Sequence, residues 1–164
     1  MPRQPVIDGF EFASAGTARQ GSLRLSEFPR LRELLASDLG EVAYLLEGTR
    51  DEYGRPGLRL AVRGVLQLRC QRCLEAMAYE IDAGGTLVLA ATLAEIDADP
   101  ADASGPDRVL AGNAMPVRDL IEDELILGLP YAPRHEACAA AAKAGEERAA
   151  SPFTGLRGLM RGKH

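Results

Sequence analysis

The chain has 164 residues, of which 46% are apolar and 5% aromatic, and its formal net charge is −5. This length suits one domain with an aliphatic core, and the negative charge excludes a protein whose whole surface binds nucleic acid. No apolar run reaches membrane-spanning length, and the N-terminus has no apolar signal segment. We therefore expect a cytoplasmic protein without a membrane segment, and the odd count of three cysteines fits that compartment.

The N-terminal part of the chain predicts few regular elements. Residues 1–22 mix proline, glycine, serine and polar side chains and are expected to be loosely structured, with one edge strand over Val6 to Phe12. FPRLRELLASD, Phe28 to Asp38, predicts a short helix, because Pro29 suits a first turn and three leucines fall on one face. EVAYLLEG, 41–48, alternates apolar and polar residues and predicts a strand followed by a turn.

The stretch from Leu58 to Cys70 shows the clearest alternation in the chain. Its even-numbered positions are apolar apart from one glycine, and its odd-numbered positions include Arg59, Arg63 and Arg69. A period of two predicts a strand with one buried and one exposed face. Gly64 lies on the buried side and predicts a bend or a bulge.

The second half of the chain predicts two more strands, a loop and a helix. The strands are expected over 77–82 and 86–93, separated by a pair of glycines, so that the centre is an antiparallel meander. The acidic residues of 95–112 predict a flexible acidic loop. PVRDLIEDELILGLP, 116–130, predicts a helix with acidic early turns and a stop at glycine and proline.

These elements together predict an α+β fold with a central antiparallel β-sheet, which could be partly closed, and two main helices. Three regions are expected along the chain. They are a loosely structured N-terminal segment at 1–22, an α+β domain at 23–138, and an Ala-rich linker with a basic C-terminal tail at 139–164.

Two short-spaced pairs of residues could hold a metal ion: Cys70 with Cys73, and His135 with Cys138. Zinc takes four nitrogen or sulfur ligands in a tetrahedron, and two pairs placed on turns can close one such site. A structural zinc is therefore a candidate cofactor. One alternative is that His135 and Cys138 are unrelated loop residues. Another is a redox dithiol, although such dithiols stand at a helix N-terminus, whereas this pair follows a strand.

The arginines of the alternating strand form a candidate RNA-binding face, in which Arg59, Arg63 and Arg69 are extended by Arg55 and Arg72. Arginines at alternate positions could follow the phosphates of an RNA along one face of a sheet. The alternative is a solvated face on which these arginines pair with acidic residues of neighbouring strands.

The C-terminal tail SPFTGLRGLMRGKH carries Arg157, Arg161 and Lys163 and no acidic residue. It could bind RNA or a protein partner as a short amphipathic element that also contains Phe153, the alternative being a frayed terminus.

No catalytic constellation is evident. The sequence has no phosphate-binding loop and no nucleophile elbow, and one of its two histidines is the last residue. A nucleophile with a base and an orienting group cannot be assembled, so we predict a protein that is not an enzyme and has no small-molecule substrate. Glu122, Asp123 and Glu124 are read as the charged early turns of a helix, or as a surface that docks a partner.

The segments LQLRCQRCLEAMAYEI, DLIEDELILGLPYAPRHEAC and SPFTGLRGLM, in this order, resemble the YceD family, the large ribosomal RNA subunit accumulation proteins of bacteria and plastids. The resemblance extends from about Glu41 to the end of the chain. It implies a non-enzymatic cytosolic factor needed for the synthesis, processing or stability of large-subunit (23S) ribosomal RNA.

Individual positions carry this resemblance. Cys70 and Cys73 match the cysteine turn of the family, 122–125 and Pro130 match its acidic helix, and His135 with Cys138 match its downstream histidine and cysteine. Some relatives carry a fuller cysteine cluster at that second position, from which this chain departs.

Three functions follow as hypotheses. The first is a factor that binds large-subunit ribosomal RNA or a pre-ribosomal particle. The second is a protein–protein adaptor that docks on pre-ribosomal proteins through Glu122, Asp123, Glu124 and the tail residue Phe153. The third is a thiol redox protein.

Overall fold

A computed structural model describes residues 5–98 and 105–138. The strands are β1 Val6–Ile7, β2 Ala18–Arg24, β3 Leu35–Ser37, β4 Glu41–Arg50, β5 Pro56–Arg69, β6 Ala76–Ala90, β7 Asp107–Leu110 and β8 Met115–Pro116. The helices are α1 Gly9–Ser14, α2 Pro29–Arg32, α3 Leu93–Asp97 and α4 Val117–Leu127, and a 3-10 turn covers Leu25–Glu27. In the described part of the chain, no helix is long and apolar enough to cross a membrane.

Six strands form the central sheet, in the order β2-β4-β5-β6-β7, and β3 pairs with the end of β5 that extends beyond β4. All pairings are antiparallel except that of β6 with β7. The short strands β1 and β8 form a second, two-stranded sheet. The predicted α+β fold with a central antiparallel meander is therefore confirmed, with one parallel strand at its edge and no barrel closure within the described residues.

Strand β5 supplies the centre of the core. Every even-numbered side chain from Leu58 to Cys70 is buried, apart from the glycine, whereas Arg59, Arg63 and Arg69 are exposed. Helix α4 packs against this face of the sheet, and its buried side chains belong to the same apolar cluster. The burial pattern predicted for β5 is confirmed.

The glycines of the sheet allow close approach of neighbouring strands. The pairing of β5 with β6 continues through Gly64 without a shift in register, so there is no β-bulge at this position. A Cβ atom on Gly64 would lie 2.7 Å from Cγ1 of Val42, and one on Gly84 would lie 2.6 Å from the carbonyl oxygen of Leu60. Strand β6 continues through Gly84, so the two strands predicted on either side of it are one strand, and the prediction of a break was wrong.

The N-terminal residues are more ordered than predicted. Strand β1 pairs with β8, and the side chain of Asp8 caps α1 by accepting the N–H of Glu11 at 2.9 Å. Strand β2 then pairs with β4 over seven residues. The prediction of a loose structure is therefore wrong for residues 5–22, because β1 and β2 pair with strands that lie far away in the sequence. The domain limits at residues 23 and 138 stay a prediction.

The helix predicted over Phe28 to Asp38 is much shorter than expected. Helix α2 ends at Arg32, and the chain then extends to form β3, in which Leu35 pairs with Leu68 of β5. The leucine spacing fits a helix, but Leu35 is buried by the sheet pairing instead. Tertiary pairing has thus overridden the local helical preference.

The acidic stretch 95–112 also contains regular structure. Helix α3 is capped by the Thr92 side chain, which accepts the N–H of Glu95 at 3.3 Å, and β7 pairs in parallel with β6. The prediction of a flexible loop was wrong for these elements. Residues 99–104 lie outside the described residues.

The carboxylate of Glu122 joins α4 to the N-terminus of α2. It accepts the backbone N–H groups of Arg30 at 2.7 Å and Leu31 at 3.0 Å, together with Nε of Arg30 at 3.0 Å. Pro29 has no N–H, and the residue before it makes no side-chain cap. Glu122 of α4 therefore acts as the N-terminal cap of α2. Its negative charge is favourable there because the N-terminus of a helix carries a partial positive charge.

Burial changes the interpretation of the acidic helix. The side chain of Glu122 is 1% exposed, so its predicted contact with a partner is corrected to an internal one. Asp123 is exposed and accepts Nη1 of Arg30 at 2.7 Å. Burial, followed by the charge of Asp107, raises the pKa of Glu124 above its ordinary value.

Replacing either of the two glutamates of α4 by glutamine should change the stability of the fold, in opposite directions for the two positions. Glu122→Gln places an amide against N–H donors and removes a buried charge partner, and we expect it to destabilise the fold by about 2–4 kcal/mol. Glu124→Gln is the matched control. It removes a carboxylate whose charged form is disfavoured on folding, so the melting temperature at neutral pH should stay the same or rise.

Thermal unfolding at several pH values checks both variants. A raised folded-state pKa means that the contribution of Glu124 favours the fold below its unfolded-state pKa and is lost as pH rises through its folded-state pKa. Glu124→Gln should abolish this dependence. Equal destabilisation by the two substitutions would contradict the role given to Glu122.

Candidate metal centre

The turn between β5 and β6 presents the first two candidate ligands, Cys70 and Cys73. The N–H of Cys70 donates to the carbonyl of Glu75 at 2.9 Å, and the N–H of Leu74 donates to the carbonyl of Cys70 at 2.9 Å. The N–H of Arg72 points at Sγ of Cys70, 3.4 Å away. Leu74 has a φ of 65°, which is uncommon for a residue other than glycine. This tight turn directs both thiols toward one point.

The segment after α4 brings the second pair to this turn. Helix α4 ends at Leu127 and is followed by its C-cap Gly128, where a Cβ atom would lie 2.9 Å from Cβ of Ala83, so the chain passes close over β6. Further on, the N–H of Gln71 donates to the carbonyl of Pro133 at 2.8 Å. This bond aligns the two loops just before the pair His135 and Cys138.

The four candidate ligands meet in space. Sγ of Cys70 lies 3.9 Å from Sγ of Cys138, and Sγ of Cys73 lies 3.4 Å from Nδ1 of His135. All four ligand atoms lie within 4.8 Å of one another. A tetrahedral zinc with Zn–S bonds of about 2.3 Å has edges of about 3.8 Å. The spacing and the sulfur-rich donor set therefore fit a zinc ion.

The thiols influence each other's protonation. The backbone N–H of Cys73, together with those of His135 and Arg72, lowers the pKa of Cys70 to about 5 against the opposing effect of burial. The pKa of Cys73 is raised: the N–H of Glu75 lowers it, but burial and the thiols of Cys138 and Cys70 outweigh that effect. Neighbouring thiolates repel one another, and a divalent cation between them would relieve that repulsion.

The position of the cysteine turn bears on the redox alternative. Cys70 and Cys73 lie between two antiparallel strands, and no helix begins at either residue. The helix N-terminus that activates the first thiolate in thioredoxin-like proteins is thus missing from this turn.

The arginines of the candidate RNA-binding face lie on the exposed side of the sheet. Nε of Arg63 lies 3.0 Å from Oδ1 of Asp82 on β6, and Arg59 stands opposite Glu47 in the pairing with β4. The cross-strand pairing weighed as an alternative is therefore present at Arg63. Arg69 and Arg72 are also exposed, at the end of the strand.

The predicted tail residues Phe153, Arg157, Arg161 and Lys163 lie outside the described residues. Two exposed side chains near the metal centre, Tyr131 and Arg134, were not anticipated as functional. A signal for the first was present in the sequence: in the run P-Y-A-P, two prolines favour an extended surface loop around an aromatic residue.

Comparison with known proteins gives one match. Residues 58–159 match the family described as large ribosomal RNA subunit accumulation protein YceD. The match covers more than half of the chain and includes β5, the cysteine turn, α4 and the second ligand pair. Neither the curated proteins nor the solved structures gave a match. The predicted resemblance is confirmed over residues 58–159, and the chain belongs to the YceD family.

Proposed function

We propose that this protein is a non-enzymatic ribosome-biogenesis factor of the cytoplasm. In this proposal it supports the synthesis, processing or stability of large-subunit (23S) ribosomal RNA by binding RNA or a pre-ribosomal particle. The observation that carries the proposal is the family match over residues 58–159, because the family description names accumulation of that RNA.

The candidate metal centre supports a structural part in this function. Cys70, Cys73, His135 and Cys138 would supply four ligands to one zinc ion, and four protein ligands leave no open position for a substrate. When bound, the ion would hold together two loops that are more than sixty residues apart in sequence. Its proposed contribution is therefore the shape of this end of the sheet.

Removing two ligands should remove the metal. We expect the purified protein to hold one zinc ion per chain and the variant Cys138→Ser with His135→Ala to hold far less. Because structural zinc contributes folding free energy directly, the melting temperature should fall with it. His164→Ala, which changes the second histidine of the chain, is the control.

Metal analysis after production in zinc-replete medium is the measurement. Wild-type protein with well below one zinc per chain would rule out the site. Retention of zinc by the double variant would show that the ligands are assigned wrongly.

Deletion of the protein should deplete large-subunit ribosomal RNA. Sedimentation profiles of cell extracts should show a lower ratio of large to small subunits, restored by the intact protein. Normal profiles in both slow and fast growth would contradict the proposed function. A defect confined to thiol redox state would favour the redox hypothesis instead.

The arginines on the sheet face are proposed as one RNA contact, with the tail residues as a second. The face comprises Arg59, Arg63, Arg69 and Arg72, and the tail contributes Arg157, Arg161 and Lys163. All four arginines on or beside the sheet are exposed. Because Arg63 pairs with Asp82, RNA would have to compete for that guanidinium, but an exposed ion pair costs little to break.

Neutralising three of these arginines measures their contribution. If each of these arginines contacts a phosphate, changing Arg59, Arg63 and Arg69 together to glutamine should make RNA affinity less dependent on salt. The slope of log affinity against log salt should fall in magnitude by about three. The melting temperature should hardly change, because the side chains are exposed. The charge-matched control changes Arg19, Arg32 and Arg50, which are also exposed. Unchanged affinity in the folded triple variant would reject the sheet face as an RNA contact.

A protein–protein adaptor is the second candidate function, favoured by charge. The described residues carry more acidic than basic side chains, and the exposed carboxylate of Asp123 lies on α4. Such a surface suits a basic pre-ribosomal protein. Asp123, Glu124 and the tail residue Phe153 remain the proposed contacts, since Glu122 is buried. Pull-downs from cells with and without RNase separate an RNA-mediated partner from a direct one.

A further inference from the structure

We propose that the two loops at the candidate metal centre form a binding surface for single-stranded RNA. This surface, the loop tip, consists of residues 69–75 and 131–136. A base would stack on Tyr131, and phosphates would contact Arg72 and Arg134. The inference rests on the proposed function, because it takes RNA contact as given and assigns the surface that makes it.

Tyr131 carries the first step of the argument. Its side chain is fully exposed, so both faces of the ring are open to a planar ligand. It stands between Pro130 and Pro133, whose fixed φ angles limit the conformations of the loop. An aromatic side chain held outward in this way can stack on any base, which is how sequence-tolerant single-strand binders gain affinity.

The arginines of the loop tip carry the second step. Arg72 and Arg134 are exposed, and within residues 5–98 and 105–138 neither has an acidic partner. Arg69 is likewise without one and donates weakly to the carbonyl of Leu74 at 3.5 Å. Several other arginines are ion-paired, among them Arg24, Arg30, Arg32, Arg55, Arg63 and Arg118. Guanidinium groups without carboxylates can bind phosphate without first breaking an ion pair.

The third step is that the backbone places these groups together. Arg72 directly precedes Cys73, and Arg134 directly precedes His135, while the ligand atoms of Cys73 and His135 are 3.4 Å apart. The hydrogen bond from Gln71 to the carbonyl of the residue before Arg134 joins the same two loops. Both arginines therefore lie at one end of the sheet on a pre-organised backbone, which lowers the entropy lost on binding.

Charge favours RNA over a protein partner at this place. The loop tip carries Arg69, Arg72 and Arg134 against Glu75 and Glu136, whereas the described residues as a whole are acidic. Counting a zinc ion with three thiolate ligands, the loop tip would be about neutral on an acidic body, and its three arginines would be the groups that contact a polyanion. Leu74, 63% exposed at a positive φ, adds an apolar contact beside the arginines.

Fluorescence anisotropy with the full-length, zinc-loaded protein tests the proposal. The probe is a single-stranded RNA of about 12 nucleotides and mixed sequence, within the usual site sizes, and the same strand in a duplex is the comparison. Tyr131→Ala should weaken single-strand affinity about 5- to 150-fold, the range for loss of one stacked base, while Tyr131→Phe should retain most of it. Tyr53→Ala, at the other strongly exposed tyrosine, is the control.

The charged contacts are tested by changing Arg72 and Arg134 together to glutamine. The slope of log affinity against log salt should fall in magnitude by about 1.4, because each phosphate contact on a single strand contributes about 0.7. The double change of Arg19 and Arg50 to glutamine is the matched control, because both are exposed and lie outside the loop tip. Zinc content and melting temperature confirm that each variant keeps its fold.

The outcomes separate this inference from the proposed function. Loss of affinity in the loop-tip variants but not in the controls supports it. Wild-type affinity in those variants, equal binding of duplex and single strand, or no RNA binding at all would overturn it. If these variants restore subunit profiles in a deletion strain, the family function stands without the loop tip. If the protein captures another protein from cells despite RNase treatment, and this capture requires Tyr131, the partner of the loop tip is a protein and not RNA.

Discussion

The pairing of β5 with both of its long neighbours is the constraint on which the rest of the structure depends. Its thirteen-residue register with β6 fixes which side chains of β5 face the core and brings the strand to its end at the cysteine turn. A slip by one residue would exchange the buried leucines with the arginines, at a prohibitive cost in apolar exposure. The same register therefore positions the core, the basic face and the first two candidate ligands.

Helix α4 completes the structure by two contacts between residues far apart in sequence. Through Glu122 it caps the short helix α2, and from its C-terminal end the chain runs along β6 to the second ligand pair. The carboxylate of Glu122 is thus internal although the helix is acidic, and the segment that follows the helix reaches the end of the sheet that carries the candidate metal centre. Helix α4 is consequently joined both to the start of α2 and, through the segment that follows it, to the candidate metal centre.

Charge is distributed in a way that net charge alone conceals. On the sheet face, Arg63 is paired with Asp82, so its positive charge is neutralised locally, whereas Arg59 stands opposite Glu47 without forming an ion pair in the described part of the chain. At the loop tip, Arg72 and Arg134 have no such partners in the described part of the chain. An arginine at an exposed strand position can pair with an acidic residue of the neighbouring strand, and only its neighbours reveal whether its charge is available to a ligand.

The sequence by itself determined those features that depend on local pattern. Strict alternation from Leu58 to Cys70 predicted one buried and one exposed face, and the two spaced pairs predicted ligands that the structure brings together. Only the tertiary structure decided the features that depend on contacts between distant residues. Leu35 joins a strand because β5 has a vacant edge beyond β4, and Glu122 is buried because α2 offers N–H groups without a cap. Such contacts join residues far apart in sequence, and a periodic pattern carries no information about what an element will meet.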